Sequence, residues 1–178
     1  MKKKHPERNY VLAAMMAALG CGVTMFLHIP THQGYIHVGD AVFFLAAVLL
    51  PGPYAAAAAA IGGGLSDLLS GYPLWILPTM LIKAGSTLAF TSRKETCLHS
   101  RNWLALGLAG VWCVGGYFAA GILLAMFSGA QGAAALAAAA ADIPGNCVQT
   151  LASSLLFVAV AFSLDRTGMK KRLTLHAN

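Results

Sequence analysis

All but one of the twelve Lys and Arg residues lie in three short stretches: the first eight residues, 93–101, and the tail after 165. Long apolar segments separate these stretches, and the remaining cation, Lys83, sits inside one of them. Basic residues in short loops beside apolar spans bias those loops toward the cytoplasm. Few folds satisfy this pattern other than a small helical protein that crosses a membrane several times. Composition agrees. The chain is 58% hydrophobic and only 10% charged, against about 25% charged in a soluble domain, so a soluble fold of 178 residues could not hide its apolar surface. The net charge of +6 is confined to those flanking stretches, which excludes a nucleic-acid-binding reading.

The fold class expected is all-α: one polytopic membrane domain of six transmembrane helices with both termini cytoplasmic. The expected spans are 10–29, 38–50, 54–70, 74–91, 103–127 and 143–164, with a basic cytoplasmic tail at 165–178. Six spans put every basic stretch on one side, and one span more or fewer would move a cluster outside. The charged start resembles a signal peptide, but no small-x-small cleavage site follows, so a retained first helix is expected. The second span is only about 20 Å long at 1.5 Å per residue, short for a hydrocarbon core of about 30 Å. The third consists largely of Ala and Gly, which lets neighbouring backbones approach closely. The Ala-rich connector 128–141 reads either as a short interfacial helix or as an extension of the fifth span.

Lys83 is the sharpest functional signal. A charge at mid-bilayer costs at least about 2.5–3.5 kcal/mol, so it must face protein or water and have a partner. It reads as a ligand-binding ammonium, as half of a structural pair with Asp67, or as a snorkelling side chain. Asp67 is open between pairing with Lys83, ligand contact and a solvated edge. Asp40 begins the second span, where a carboxylate favours a helix N-terminus, and is expected to cap it. In the last span Asp142, Asn146, Gln149 and Ser153 share one helix face. Asp142 and Pro144 suit the helix start. Such a polar stripe faces the bundle, either bonding to other helices or lining a cavity. The amides of Asn146 and Gln149 offer donors and acceptors to a heterocycle.

The first outer loop carries His28, His32 and His37 with Gln33 and Tyr35. The spacing is not that of a metal site, so no metal is expected, and Tyr35 and His37 read as a lid over a small ligand. Ala13, Ala14, Ala17 and Ala18 form two overlapping small-xxx-small pairs, a groove for another helix or for internal packing. The four cysteines have no metal or disulfide spacing and read as small apolar residues. There is no phosphate-binding loop, no H-E-x-x-H and no recognisable nucleophile arrangement. Neither catalysis nor a cofactor is expected.

Taken together, Gly34-Tyr-Ile-His-Val-Gly-Asp40, Leu50-Pro-Gly-Pro-Tyr54, Gly62–Asp67, Leu68-Leu-Ser-Gly-Tyr-Pro73 and Pro78-Thr-Met-Leu-Ile-Lys83 resemble the substrate-binding S components of energy-coupling-factor (ECF) vitamin transporters, in the riboflavin-type and related branch. The resemblance is strong over 10–90. Beyond residue 100 it rests on Pro144-Gly-Asn146 and Gln149. It implies a six-helix fold in a prokaryotic plasma membrane, with a ligand pocket near the outer face under the first loop. The ligand implied is a small vitamin or precursor with a flavin, pyrimidine, pyridine or similar ring. The resemblance also implies docking of the alanine face of the first span on a membrane coupling subunit that binds two ATPases, with toppling in the bilayer to carry substrate inward. The connector 128–141 offers few polar groups, which weighs against a large polar substrate. Two other classes stay open on sequence alone: a structural or regulatory membrane protein, and a stand-alone small permease. The absence of an evident internal repeat weighs against the permease.

Overall fold

A computed structural model describes residues 6–30 and 35–171. The described chain is mostly helical: α1 (Pro6–Phe26), α2 (Asp40–Leu49), α3 (Gly52–Leu69), α4 (Ile76–Thr87), α5 (Ser100–Phe127), α6 (Ala133–Ala140) and α7 (Ile143–Arg166). A 3₁₀ turn at Pro73–Trp75 leads into α4. The expectation of an all-helical chain needs one correction. The loop after α1 pairs with itself as an antiparallel hairpin, β1 (His28–Pro30) and β2 (Tyr35–His37), with His28 opposite His37. Three-residue strands carry too little alternation to be read from sequence.

The short helix α2 is the hub. Eight of its ten residues are buried, and it is covered by α1, α3, α4 and α7. Below its polar start, Phe44 packs against Phe90 and Phe157, with ring centroids 5.4 and 6.0 Å away. This aromatic cluster forms the core beneath the site. The glycines of α3 let its neighbours close in. A Cβ at Gly62 would lie 2.7 Å from the Ala17 carbonyl oxygen, and one at Gly63 would lie 2.9 Å from Lys83 Cγ. Both α1 and α4 therefore sit directly on the α3 backbone. On its other side α4 is held by Trp112 of α5, whose indole N–H donates to the Ile82 carbonyl at 3.0 Å. That contact fixes the turn of α4 that carries Lys83.

The alanine face of α1 divides in two. Ala13 and Ala17 are buried, whereas Ala14 and Ala18 are exposed. For Ala13 and Ala17 the small-residue groove is filled inside the molecule, the internal-packing alternative of the two. The reason is the close approach of α1 to the side-chain-free surface of α3. The connector after α5 resolves as a separate helix, α6. Gly129 and Gly132 take φ of 96° and 51°, a left-handed region that glycine enters without steric cost, and they turn the chain back so that Ala139 packs over Gly121. At the far end of the bundle Asp165 clasps the α4–α5 loop. Its two carboxylate oxygens accept the backbone N–H groups of Cys97 and Leu98 at 2.6 and 3.0 Å. The buried Lys170 ammonium donates to the Thr96 carbonyl at 3.1 Å.

Glu7–Phe26, Ser100–Phe127 and Ala133–Arg166 are long and apolar enough to cross a bilayer. Their outward faces carry Val11, Met15, Leu104, Leu108, Val111, Leu151, Leu155 and Phe162, all exposed. A continuous apolar exterior of this kind is stable against lipid and not against water.

Candidate functional site

Where α2, α3 and α4 meet the hairpin and the start of α7, the chain leaves a cavity of about 190 Å³. Lys83 rises from α4 at its floor. Its ammonium is 1% exposed and lies 2.6 Å from Asp40 Oδ1, so its partner is Asp40 and not Asp67. Asp40 is the first residue of α2, with Gly39 at the N-cap, and its carboxylate reaches to other helices. Oδ2 accepts the Gln149 amide N–H at 3.2 Å. The carboxylate is thus shared between α4 and α7 across the top of α2. The ring of Tyr117 on α5 lies 5.0 Å from Lys83 Nζ and offers the cation a π face. Burying such a pair is costly unless the remaining polar atoms are satisfied. Gln149 and Tyr117 contribute to that.

Asp67, near the end of α3, takes a different partner. Tyr35 in β2 donates its hydroxyl to Asp67 Oδ1 at 2.6 Å. The Tyr35 ring sits between His28, His37 and Tyr72, with centroids 5.0, 5.6 and 5.2 Å away. The hairpin is thereby fastened to α3 as an aromatic cover on the cavity. His32 and Gln33 lie outside the described residues. Of the other loop histidines, His28 bonds the Met25 carbonyl at 2.6 Å through Nδ1. Among the described residues no cluster of three His, Cys, Asp or Glu side chains is placed to hold a metal.

His37 is buried where β2 meets α2. The Gly39 backbone N–H donates to its Nδ1 at 3.0 Å, and the Thr24 hydroxyl lies 3.4 Å from the same nitrogen. Nδ1 must therefore be bare, and the neutral ring carries its proton on Nε2. On α7, Ser153 donates to the His37 carbonyl at 3.4 Å. Burial lowers the His37 pKa from 6.5 to about 3; nearby Asp40 opposes the shift and Lys83 adds to it. Above about pH 6.5 the ring is neutral in both folded and unfolded chains. Below that the unfolded chain takes a proton that the folded chain refuses until about pH 3. Stability is therefore full above pH 6.5 and is lost as the pH falls, by up to about 1.4 kcal/mol per unit. His37→Asn, whose amide oxygen can accept the Gly39 N–H, is expected to flatten this dependence by one proton. Unfolding midpoints of the two proteins across the acid range check it.

The cavity brings together Tyr35, His37, Asp67, Lys83, Asn146 and Gln149, every candidate ligand contact drawn from the sequence. It also adds Thr24, Trp75, Thr79 and Tyr117, which sequence reasoning did not single out. Trp75 and Tyr117 lie in apolar stretches where an aromatic residue looks like any other core or lipid-facing side chain. Their ring centroids are 5.8 Å apart, and with Tyr35 and Tyr72 they give the cavity aromatic walls. Asp40 closes the stretch Gly34–Asp40 noted in the sequence, but its role is hidden there because its partners come from helices distant in the chain.

This bundle, with a short central helix and a hairpin over a polar cavity, has a solved counterpart. A solved structure described as "Structure and mechanism of the S component of a bacterial ECF transporter" aligns with a TM-score of 0.70 over 92% of this chain and 98% of that chain, at 16% identity. The model of the family "ECF-type riboflavin transporter, S component" matches residues 6–166, and the chain belongs to that family. It is a family of membrane-embedded transporter components and not of enzymes. An "Uncharacterized protein in gap 3′ region" of Pyrococcus woesei is 36% identical over 98 residues, 54% of this chain and 65% of that protein's length.

Proposed function

We propose that this chain captures a small water-soluble vitamin or precursor with a heterocyclic ring at the outer face of the membrane and passes it inward with an ATP-driven coupling module. The observation that carries the reading is the cavity itself. Aromatic walls, an ammonium and two amides converge on a space of about 190 Å³, under a hairpin held by a side-chain bond. Ligand sites have this character: mostly apolar surface with a few placed polar groups. The volume lies below the 300 Å³ at which drug-sized pockets roughly begin, which favours a compact ring system.

The charge pattern supports six spans with both termini and the Asp165-clasped loop on the cytoplasmic side, which puts the hairpin and cavity outside. As the resemblance to vitamin-transporter S components implies, a membrane coupling subunit carrying two ATPases supplies the energy. The outward residues of the α1 alanine face, Ala14 and Ala18, are the docking points. No nucleic acid takes part.

Mass spectrometry of small molecules extracted from the detergent-purified protein tests the reading. A ring-bearing metabolite in near-stoichiometric amount is expected, displaced by heating and restored on refilling. A protein that carries none, and that no vitamin stabilises, would be a packing or regulatory element instead.

A further inference from the structure

Thr79 and Lys83 lie four residues apart on α4 and so share a face. Gly63 of α3 seats both: a Cβ there would lie 3.0 Å from Thr79 Cγ2 and 2.9 Å from Lys83 Cγ. Lys83 is accounted for by Asp40 and Tyr117. Thr79 is buried and lines the cavity, and its hydroxyl has no part in the Lys83–Asp40–Gln149 arrangement.

That hydroxyl stands between two other groups. On one side it is hydrogen-bonded to the Asp67 carboxylate, which also accepts the Tyr35 hydroxyl of the hairpin at 2.6 Å. On the other side the Tyr117 hydroxyl lies 3.4 Å from Thr79 Oγ1, placed to donate. Proton counting fixes the direction. As a carboxylate Asp67 only accepts, so Thr79 gives it its one proton and keeps its lone pairs for Tyr117. Ser66 also reaches the Tyr35 hydroxyl, but its proton goes to the Gly63 carbonyl at 2.7 Å. Asp67 therefore holds the Tyr35 proton, and Thr79 is the second donor to Asp67. A buried carboxylate with one donor fewer is under-satisfied and less fixed in its plane. Without Tyr117, the Thr79 hydroxyl can turn to a carbonyl of its own helix, the usual alternative for a helical threonine.

The geometry points to Thr79 as the positioning residue of the hairpin: it fixes the carboxylate on which Tyr35 closes, and through Tyr117, whose ring lies 5.0 Å from Lys83 Nζ, it ties that closure to the floor of the cavity. The inference rests on the capture reading only for what the closure serves. The arm to Asp67 is the stronger, because a hydrogen bond to an ionised group exceeds one between neutral groups. The arm to Tyr117 is long and weaker.

Hydrogen–deuterium exchange of the purified full chain in detergent, without ligand, reads the hairpin directly. Exchange of the Tyr35–Gly39 amides follows the free energy of local opening. Thr79→Val keeps the shape and removes the hydroxyl. It is expected to speed that exchange by about tenfold, while the segments around Phe44 and Phe157 exchange as in the unaltered protein. Thr79→Ser, which keeps the hydroxyl, should stay within about threefold of the unaltered rate. Tyr35→Phe alone should match or exceed Thr79→Val, and the double variant should exceed Tyr35→Phe by nothing, because Thr79 acts on the hairpin through that one bond. A Thr79→Val effect below about threefold overturns the inference. So does an effect that adds in full to that of Tyr35→Phe, one that appears equally around Phe44 and Phe157, or a Tyr35→Phe variant that exchanges like the unaltered protein. Tyr117→Phe is expected to speed hairpin exchange by about threefold. An unchanged rate overturns the tie to the floor, and overturns the whole inference should Thr79→Val not fold. No ligand enters the measurement, so its failure leaves capture intact, and a chain that carried no vitamin would leave the role of Thr79 standing.

Discussion

Replacing Lys83 by Met is expected to weaken ligand binding by about 100-fold or more and to destabilise the folded protein by about 3–5 kcal/mol. The two effects have separate causes. Stability falls because Asp40, 1% exposed, would keep only the Gln149 amide at 3.2 Å and become an uncompensated buried charge. Binding falls because the ammonium and the ordered carboxylate it holds form the floor of the cavity. A second substitution separates them. Asp40→Asn in the Lys83→Met background removes the stranded charge and replaces it with an amide that can still bond Gln149. Most of the stability should return, and replacing both members of a buried pair is often close to neutral. Affinity should not return. Thermal unfolding and ligand titration of the two single variants and the double variant complete the cycle. If Lys83→Met bound as tightly as the unaltered protein, the Lys83–Asp40 pair would be a purely structural strut. The same would follow if the double variant recovered affinity along with stability.

What could be read from the chain in advance follows from the range of the interaction involved. Charge position is a local property, and the apolar stretches it brackets each contain a helix. Lys83 was conspicuous because a lone cation in an apolar run has no local explanation. Its partner could not be read the same way. Asp67 lies nearer in the chain, but Asp40 wins because α2 begins against α4 at the level of Lys83, while Asp67 is engaged by a tyrosine from the hairpin. That hairpin was itself invisible, since it is held by Tyr35–Asp67 and by ring contacts between distant segments and not by strand propensity. Asn146 and Gln149 were legible because a polar stripe on an apolar helix has one sensible direction to face. Trp75 and Tyr117 were not, because an aromatic residue in a membrane helix is equally at home in the core, in a cavity wall or against lipid. The alanine stripe of α1 shows the same limit. Small-xxx-small spacing marks two helix rows about 100° apart, and nothing in the spacing says which row faces inward. Gly62 decides it, from another helix.

That division gives the second large effect. Ala17 is buried with its carbonyl against the α3 backbone, whereas Ala14 is exposed one row away. Ala17→Leu adds three carbons at a contact that has no side chain to yield, so α1 must lift from α3. Overpacking of this kind costs about 1–3 kcal/mol or more, and a lower unfolding midpoint with reduced yield of folded protein is expected. Ala14→Leu meets open space in the isolated chain, so its folding and ligand affinity should match the unaltered protein. In cells carrying the coupling module, the same change should abolish uptake of whatever ligand co-purifies, because a leucine fills the shallow groove where a partner helix would approach. Binding by the purified chain and uptake by intact cells, measured side by side for both variants, distinguish an inner row that builds the fold from an outer row that meets the partner. Uptake that survived Ala14→Leu would move the docking surface off α1 altogether, since the inner row is already occupied by α3.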